Sequence, residues 1–436
     1  MSYIGAKRLN SRPNLAPLAA KDMEEQVELW EPLLKYMRMH PKYCSIFEES
    51  TSQLFYRDGP LPIPLRHFIA LMGAARHGCQ YLLEVHKSEF LRLGGDKEWL
   101  IGLNQCPRKV SRLDALNRYL AHQPWLLQPS HLKELTAVPS PDNWSMSELM
   151  QGAIILSHVH SLCSFVTGSG IIADTITGSR TTSASSTAPT NGDTTQSAQE
   201  GAEVEMLMQR MQQLCTANSS SGGDESEKAR QFADVVVSGG TVLARGGEEA
   251  SKETAAATLR CFTNELDFQY TDFVKRPSGT NSAPTFKIHD YSWEDQGYSL
   301  VDQLYSELSN LLDGKFRLTQ ALTYNTMGNH EGVDTTPYRA AVWNYIQSLY
   351  GIRQDDYDYS EVNQLLSRSM KTFVKTLCCH PDATTQSMRN GFMPDFRVSE
   401  KVHVLLMILE ARHQAELLYF LRTVSRYMTQ SHGLID

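Results

Sequence analysis

Cys79 stands in the string His77-Gly78-Cys79-Gln80-Tyr81-Leu82-Leu83-Glu84-Val85-His86. A cysteine is a nucleophile only as its thiolate, and a nearby imidazole or helix terminus favours that form. Cys79 could attack a peroxide oxygen and become a sulfenic acid, with Tyr81 or His86 relaying the proton. On one unbroken helix the geometry opposes this. Cys79 and His86 would be about 10.5 Å apart along the axis, and Tyr81 would lie about 200° around it from Cys79. A direct triad needs a break, with Gly78 as the candidate, or groups from another helix. The competing reading is a buried cysteine beside a packed histidine.

A second set runs from Leu322-Thr323-Tyr324-Asn325-Thr326 to Thr335-Thr336-Pro337-Tyr338-Arg339, and on to Phe392-Met393-Pro394-Asp395-Phe396-Arg397-Val398-Ser399-Glu400. A free amino acid is a zwitterion. Its carboxylate suits the fork of an arginine such as Arg339, and its ammonium suits a carboxylate such as Glu400. Hydroxyls of Thr323, Thr326 and Thr335 could close over it. A structural Arg339–Glu400 salt bridge is the reading that composition favours. His158 and His160 are two residues apart, so on a helix they face away from one another and read as packing and capping groups, not as metal ligands. The acidic stretch Asp355-Asp356-Tyr357-Asp358-Tyr359 reads as a solvated turn or as a knob for a protein partner.

The elements that must position these groups are helical. Leu65 to Leu91 carries Phe68, Leu71, Met72, Ala75, Cys79, Leu82, Leu83, His86 and Phe90 on one stripe. Trp144 to Phe165 is a further apolar helix, with Ser145 or Ser147 as its cap. Thr336 can cap a helix with Pro337 at its first position, ended by Gly351. Ser360 can cap another that runs through Leu377 to Pro381. Ser399 can cap the last, from Glu400 to about Met428, roughly 43 Å long. Strand signals are confined to Val235–Val237 and Thr241–Leu243 around Gly239–Gly240. Ala75-Arg76-His77 recurs as Ala411-Arg412-His413, a short hint of duplication.

From Thr177 to Glu200 there is no Leu, Val, Ile or aromatic residue, and no aromatic occurs between Phe165 and Phe232. Such stretches bury too little apolar surface to offset the entropy of ordering. The reading is a flexible start at 1–20, helical domains at 21–171 and 259–436, and a flexible linker at 172–258. A short helix at 203–215 interrupts the linker. The chain has 436 residues and a formal charge of −8, which excludes a chain-wide basic surface for nucleic acid or anionic membrane. No run reaches the ~18–20 apolar residues of a membrane span, and there is no leader-like start, so the expectation is a soluble, intracellular protein. Eight scattered cysteines with no CxxC pair suit reduced thiols, not a disulfide framework or zinc site.

Taken together these segments resemble the sestrins. The likeness rests on Leu322–Thr326, Gly332–Thr335, Trp343–Ile346, Gly351–Arg353 with Asp355–Tyr359, Glu361–Leu366 and Ser399–Val404. It rests also on Ala75–Cys79 with Tyr81 and His86, and on Thr285–Tyr298 around Trp293-Glu294-Asp295. It implies an all-α fold of two alkylhydroperoxidase-like (AhpD-like) domains related by a pseudo-twofold. It further implies stress-responsive inhibition of TOR signalling through a GATOR complex that is released when leucine binds.

By the same resemblance Glu400 would hold the leucine ammonium and Arg339 its carboxylate. Thr323, Tyr324, Asn325 and Thr326 would form a lid, Thr335 would add a hydroxyl, and Met393, Phe396 and His403 would wall the pocket. Asp355, Asp356 and Tyr357 would contact GATOR. Cys79, Tyr81 and His86 would reduce hydroperoxides without a cofactor but with an external thiol reductant. Leu82 replaces the second cysteine of the bacterial relatives, so the helix carries no resolving thiol. Met393 and Tyr338 stand where the vertebrate pattern has Trp and Leu, which implies a softer pocket and weaker or broader binding. The implied locations are the cytoplasm and, second, the nucleus.

Overall fold

A computed structural model describes residues 20–172, 202–216, 225–240, 261–275 and 285–432. The expected flexible start, most of the linker and Thr241–Leu243 lie outside them. The described residues form seventeen α-helices and four two-residue strands. In the first half these are α1 Ala20–Met37, α2 Pro41–Phe55, α3 Ile63–Arg76, α4 Gln80–Arg92, α5 Arg108–Ser111, α6 Asp114–His122, α7 Pro129–Thr136 and α8 Met146–Ser169. Within the linker lie α9 Ala202–Thr216 and α10 Glu225–Ser238. The second half holds β1 Phe286–Lys287, α11 Tyr298–Leu304, α12 Ser306–Ala321, β2 Thr326–Met327, β3 His330–Glu331, α13 Thr336–Leu349, β4 Ile352–Arg353, α14 Ser360–Leu365, α15 Arg368–Cys379, α16 Gln386–Asn390 and α17 Val398–His432. The fold is all-α, and the helix expected at 203–215 is α9.

Local chemistry explains the boundaries. The Leu65–Leu91 stripe is two helices, broken at Gly78 with φ +64, a conformation that costs glycine little. At α8 the Ser145 hydroxyl accepts from the Glu148 amide at 3.2 Å, and the Glu148 carboxylate accepts from the Ser145 amide at 2.8 Å. This reciprocal box satisfies two orphan donors. Gly170, at φ +72, ends the helix.

Four expectations need correction. The last helix begins at Val398, so Ser399 lies inside its first turn and does not cap it. The cap of α13 is Thr335, one residue earlier than expected. The single helix from Ser360 is two, because Leu366 turns extended and the Ser367 hydroxyl caps α15 through the Met370 amide. Val235–Val237 is the end of α10 and not strand, since Phe232, Val235 and Val236 pack into the core at i, i+3, i+4 spacing.

The core is continuous across both halves. Its most extensive helix contact is α8 against α17, followed by α3 against α4 and α8. Every residue of α8 from Leu149 to Val166 is buried, the pattern of a central helix that is apolar all round. By length and hydropathy this helix could cross a membrane, but its apolar stretch is fully buried inside the protein. α17 has 35 residues, or about 52 Å.

Polar groups also join the halves. Arg412 on α17 reaches Glu416 at 2.9 Å, the Ser164 hydroxyl at 2.8 Å and His77 Nε2 at 2.6 Å. Both ring nitrogens of His160 are engaged at 2.8 Å, with Glu416 and Asn117. Tyr43 donates to Glu410 at 2.5 Å, and Lys315 pairs with the same carboxylate at 3.3 Å.

Candidate functional site

The second chemical set converges on one cavity of about 40 Å³. Thr323, Tyr324, Thr326, Thr335, Arg339, Met393, Phe396, Glu400 and His403 all line it. Asn325 does not; it is exposed, with φ +53, and its carbonyl accepts from the Val333 amide. The lining also includes His40, Leu322, Met327, Tyr338, Val404 and Met407. His40 comes from the α1–α2 turn, so no spacing along the second half could reveal it. His40 Nε2 donates to the Ser399 carbonyl at 2.8 Å, which leaves Nδ1 to accept from the Tyr324 hydroxyl at 3.1 Å.

Beside the cavity Thr326, the last residue expected in the lid, opens the β2–β3 hairpin. Its turn residue Gly328 has φ +58, and a Cβ there would stand 2.7 Å from the Asp395 carbonyl, so only glycine fits both demands. Glu400, in the first turn of α17, anchors this hairpin. Its carboxylate accepts from the Thr326 hydroxyl at 2.9 Å, the Gly328 amide at 3.0 Å and the Arg397 amide at 2.9 Å.

Arg339, one turn into α13, bonds instead to the hydroxyls of Thr335 and Thr336 and to the Gln320 carbonyl. Among the described residues no ion pair joins Arg339 to Glu400, so the salt bridge favoured by composition is not formed. Burial lowers Arg339 from the usual guanidinium value. Burial also pushes His403 down to about 4, outweighing the bond from its Nε2 to the Thr319 carbonyl. At neutral pH this imidazole is uncharged. The apolar end is closed by Tyr338, which stacks on Phe396 and donates its own hydroxyl to the Met393 sulfur at 3.7 Å. The open volume suits two or three waters. Entry of a whole amino acid therefore requires the lid or the Met393 wall to move.

In the first half Cys79 is the N-cap of α4, as the Gly78 break allows. Its sulfur does not meet the two expected partners. The Tyr81 hydroxyl donates to the Leu29 carbonyl at 2.7 Å. His86 faces His67, Nδ1 to Nδ1 at 3.2 Å, and burial pushes it down to about 3. A hydrogen bond from the Cys163 thiol, opposed by burial and aided by the Leu82 and Tyr81 amides, pulls the Cys79 thiol below its usual value.

His158 and His160 are buried side chains of α8, as packing predicts. Among the described residues no group of His, Cys, Asp and Glu is arranged to hold a metal ion. In the acidic loop only part is available to a partner. Asp355 binds Arg353 at 3.1 Å and the His289 amide at 3.3 Å. Tyr357 is half-buried, edge-on to buried Tyr359, while Asp356 and Asp358 are exposed.

Fold and cavity together define the class: an all-helical protein whose second half holds a small cavity with a cation, an anion and an apolar wall. The family model for PA26 p53-induced protein (sestrin) matches residues 14–428. Mouse Sestrin-2 is 44% identical over 402 residues, covering 90% of this chain and 83% of its own. Human Sestrin-2 is 42% identical over 402 residues, with 90% and 83% covered. Mouse Sestrin-3 is 40% identical over 421 residues, with 91% and 85% covered. The chain belongs to the sestrin family, and membership supports a role as a stress-induced signalling regulator.

Proposed function

We propose that the protein is a leucine sensor that restrains TOR signalling through leucine-sensitive binding to GATOR. The observation that carries this reading is that Arg339 and Glu400 face one cavity without pairing to each other. Each is held by neutral donors or acceptors, so a zwitterion supplies the opposite charge each of them lacks. A charged pair made in a desolvated site is worth more than one at the surface. Leucine must bind the GATOR-free and GATOR-bound states differently for occupancy to shift the balance. Exposed Asp356 and Asp358 and the edge of Tyr357 are the proposed GATOR contacts, and the cytoplasm and nucleus the proposed locations. Calorimetry with leucine tests the reading, paired with GATOR pull-down of Glu400→Ala. No heat up to millimolar leucine, with unchanged leucine sensitivity in the pull-down, refutes it.

A second reading is supported by the depressed Cys79 thiol: reduction of alkyl hydroperoxides at the α4 N-terminus, with an external thiol restoring the enzyme. It requires thiol-dependent consumption of cumene hydroperoxide that Cys79→Ser abolishes. Equal turnover by that variant removes Cys79 from the chemistry. The two activities use different residues and do not exclude each other.

A further inference from the structure

We infer that α9, the helix within the linker, is a gate on the amino-acid cavity: docked, it holds the β2–β3 hairpin and the Met393 wall in place, and ligand passes only when it lifts. The inference rests on the leucine reading above. Thr326 and Met327 of β2 line one side of the cavity, and Tyr338, Met393 and Phe396 line another. α9 reaches both sides.

On the hairpin side, the Val204 side chain lies 3.4 Å from where a Cβ on Gly328 would stand, and the Glu205 carboxylate lies 3.5 Å from His330 Nε2. The hairpin is thus held from within by Glu400, which accepts from the Thr326 hydroxyl and the Gly328 amide, and from without by α9. On the wall side, Leu207 and Arg210 of α9 share with Tyr338, Met393 and Phe396 a second cavity of about 320 Å³. Those last three residues therefore stand between two cavities, the inner one of about 40 Å³. The larger space gives the Met393 side chain somewhere to go when a ligand fills the inner one. Met393 has φ +48, which is rare for a residue with a side chain, and its sulfur is held by the Tyr338 hydroxyl at 3.7 Å.

α9 is suited to lifting. It has 15 residues, and a helix of that length is marginal in water on its own. It docks through one face, on which Val204, Leu207 and Met211 are buried at i, i+3, i+7 spacing. Arg210 Nη1 adds a bond to the Gln364 carbonyl of α14 at 2.9 Å. Segments with few buried apolar contacts are those that open first. Because the outer cavity makes room for the displaced wall, α9 docks again over the bound ligand. Such a gate sets how fast ligand enters and leaves, and it leaves the balance between free and bound little changed.

The test uses the full-length chain, tritiated leucine with rapid filtration, and hydrogen exchange read on 202–216 and 326–331. Leu207→Glu with Met211→Glu puts two carboxylates on the docking face and should strip α9 of exchange protection, while an unchanged urea midpoint shows the rest of the fold intact. Leucine association and dissociation should both rise at least about fivefold in this double variant, with their ratio constant within about twofold. Arg210→Ala, which removes only the bond to Gln364, should raise both by about twofold. Residues 326–331 should exchange faster in the double variant without leucine.

Unchanged rates in a double variant whose α9 has lost protection overturn the gate. A rise in dissociation alone also overturns it, since α9 would then be part of the bound state. An α9 that keeps its protection in the double variant overturns the docking face itself. If no chain binds leucine, the leucine reading falls, and exchange at 326–331 decides the hold of α9 on the hairpin: faster exchange in the double variant supports it, and equal exchange overturns it.

Discussion

Arg412→Met should cost about 3–5 kcal/mol of folding stability, the usual loss when one member of a buried ion pair is removed. The magnitude follows from what the guanidinium holds. It is completely buried, 2.9 Å from Glu416, 2.8 Å from the Ser164 hydroxyl and 2.6 Å from His77. Methionine fills much of the same space, so the loss is chiefly electrostatic. Glu416 is left in the core with His160 at 2.8 Å as its one remaining partner among these groups. Urea unfolding followed by tryptophan fluorescence gives the readout, since Trp144 and Trp293 are almost fully buried. With a slope of about 3 kcal/mol per molar, the midpoint should fall by about 1 to 1.7 M.

Arg412→Lys should recover less than half of the loss, because a single ammonium cannot reach three acceptors as a planar fork does. Adding Glu416→Leu to Arg412→Met should recover part of it, because no charge then stays unpaired. Both halves should unfold in one transition, since these bonds and the α8–α17 packing join them. A midpoint shift under about 0.3 M for Arg412→Met would refute the claim that this network holds the halves together.

Acid should destabilise the fold below neutral pH. His86 and His403 are pushed down to about 3 and about 4 by burial. The unfolded chain takes up their protons first, so the stability they confer is complete above about 6.5 and is lost as pH falls toward 3–4. Urea midpoints at pH 7.5 and 5.0 test this, and equal midpoints contradict it. Met393→Trp with Tyr338→Leu should raise the preference for leucine over methionine by about tenfold, the scale on which apolar pockets discriminate; competition calorimetry measures it. Ser145→Ala removes one half of the α8 capping box and should cost about 1 kcal/mol, read as a lower urea midpoint with unchanged leucine binding.

What was legible in the sequence follows the reach of each interaction. A cap acts over three residues, so Ser145 or Ser147 could be named as the start of α8, and the bond from the Glu148 amide selects Ser145. Gly78 was legible as a break because a positive φ is a local demand. The helix from Ser360 was drawn too long because the apolar stripe continues through Leu366. Only the backbone reveals that Ser367, and not the stripe, sets the start of α15.

The cavity was legible for another reason. Its charged members, Arg339 and Glu400, sit in the first turns of their helices, α13 and α17, and Thr326 opens a short hairpin between neighbouring elements. What failed was pairing. Opposite charges with no visible competitors predict a bridge, yet Thr335, Thr336, the Gln320 carbonyl and the hairpin amides take those bonds first. Backbone groups carry no sequence signal of that kind. The same limit hid His40, which reaches the pocket from the first half. Its meeting point is made by tertiary packing, where spacing along the chain carries no information. The partners a residue finds across helices, more than its own motif, therefore decide its chemistry here.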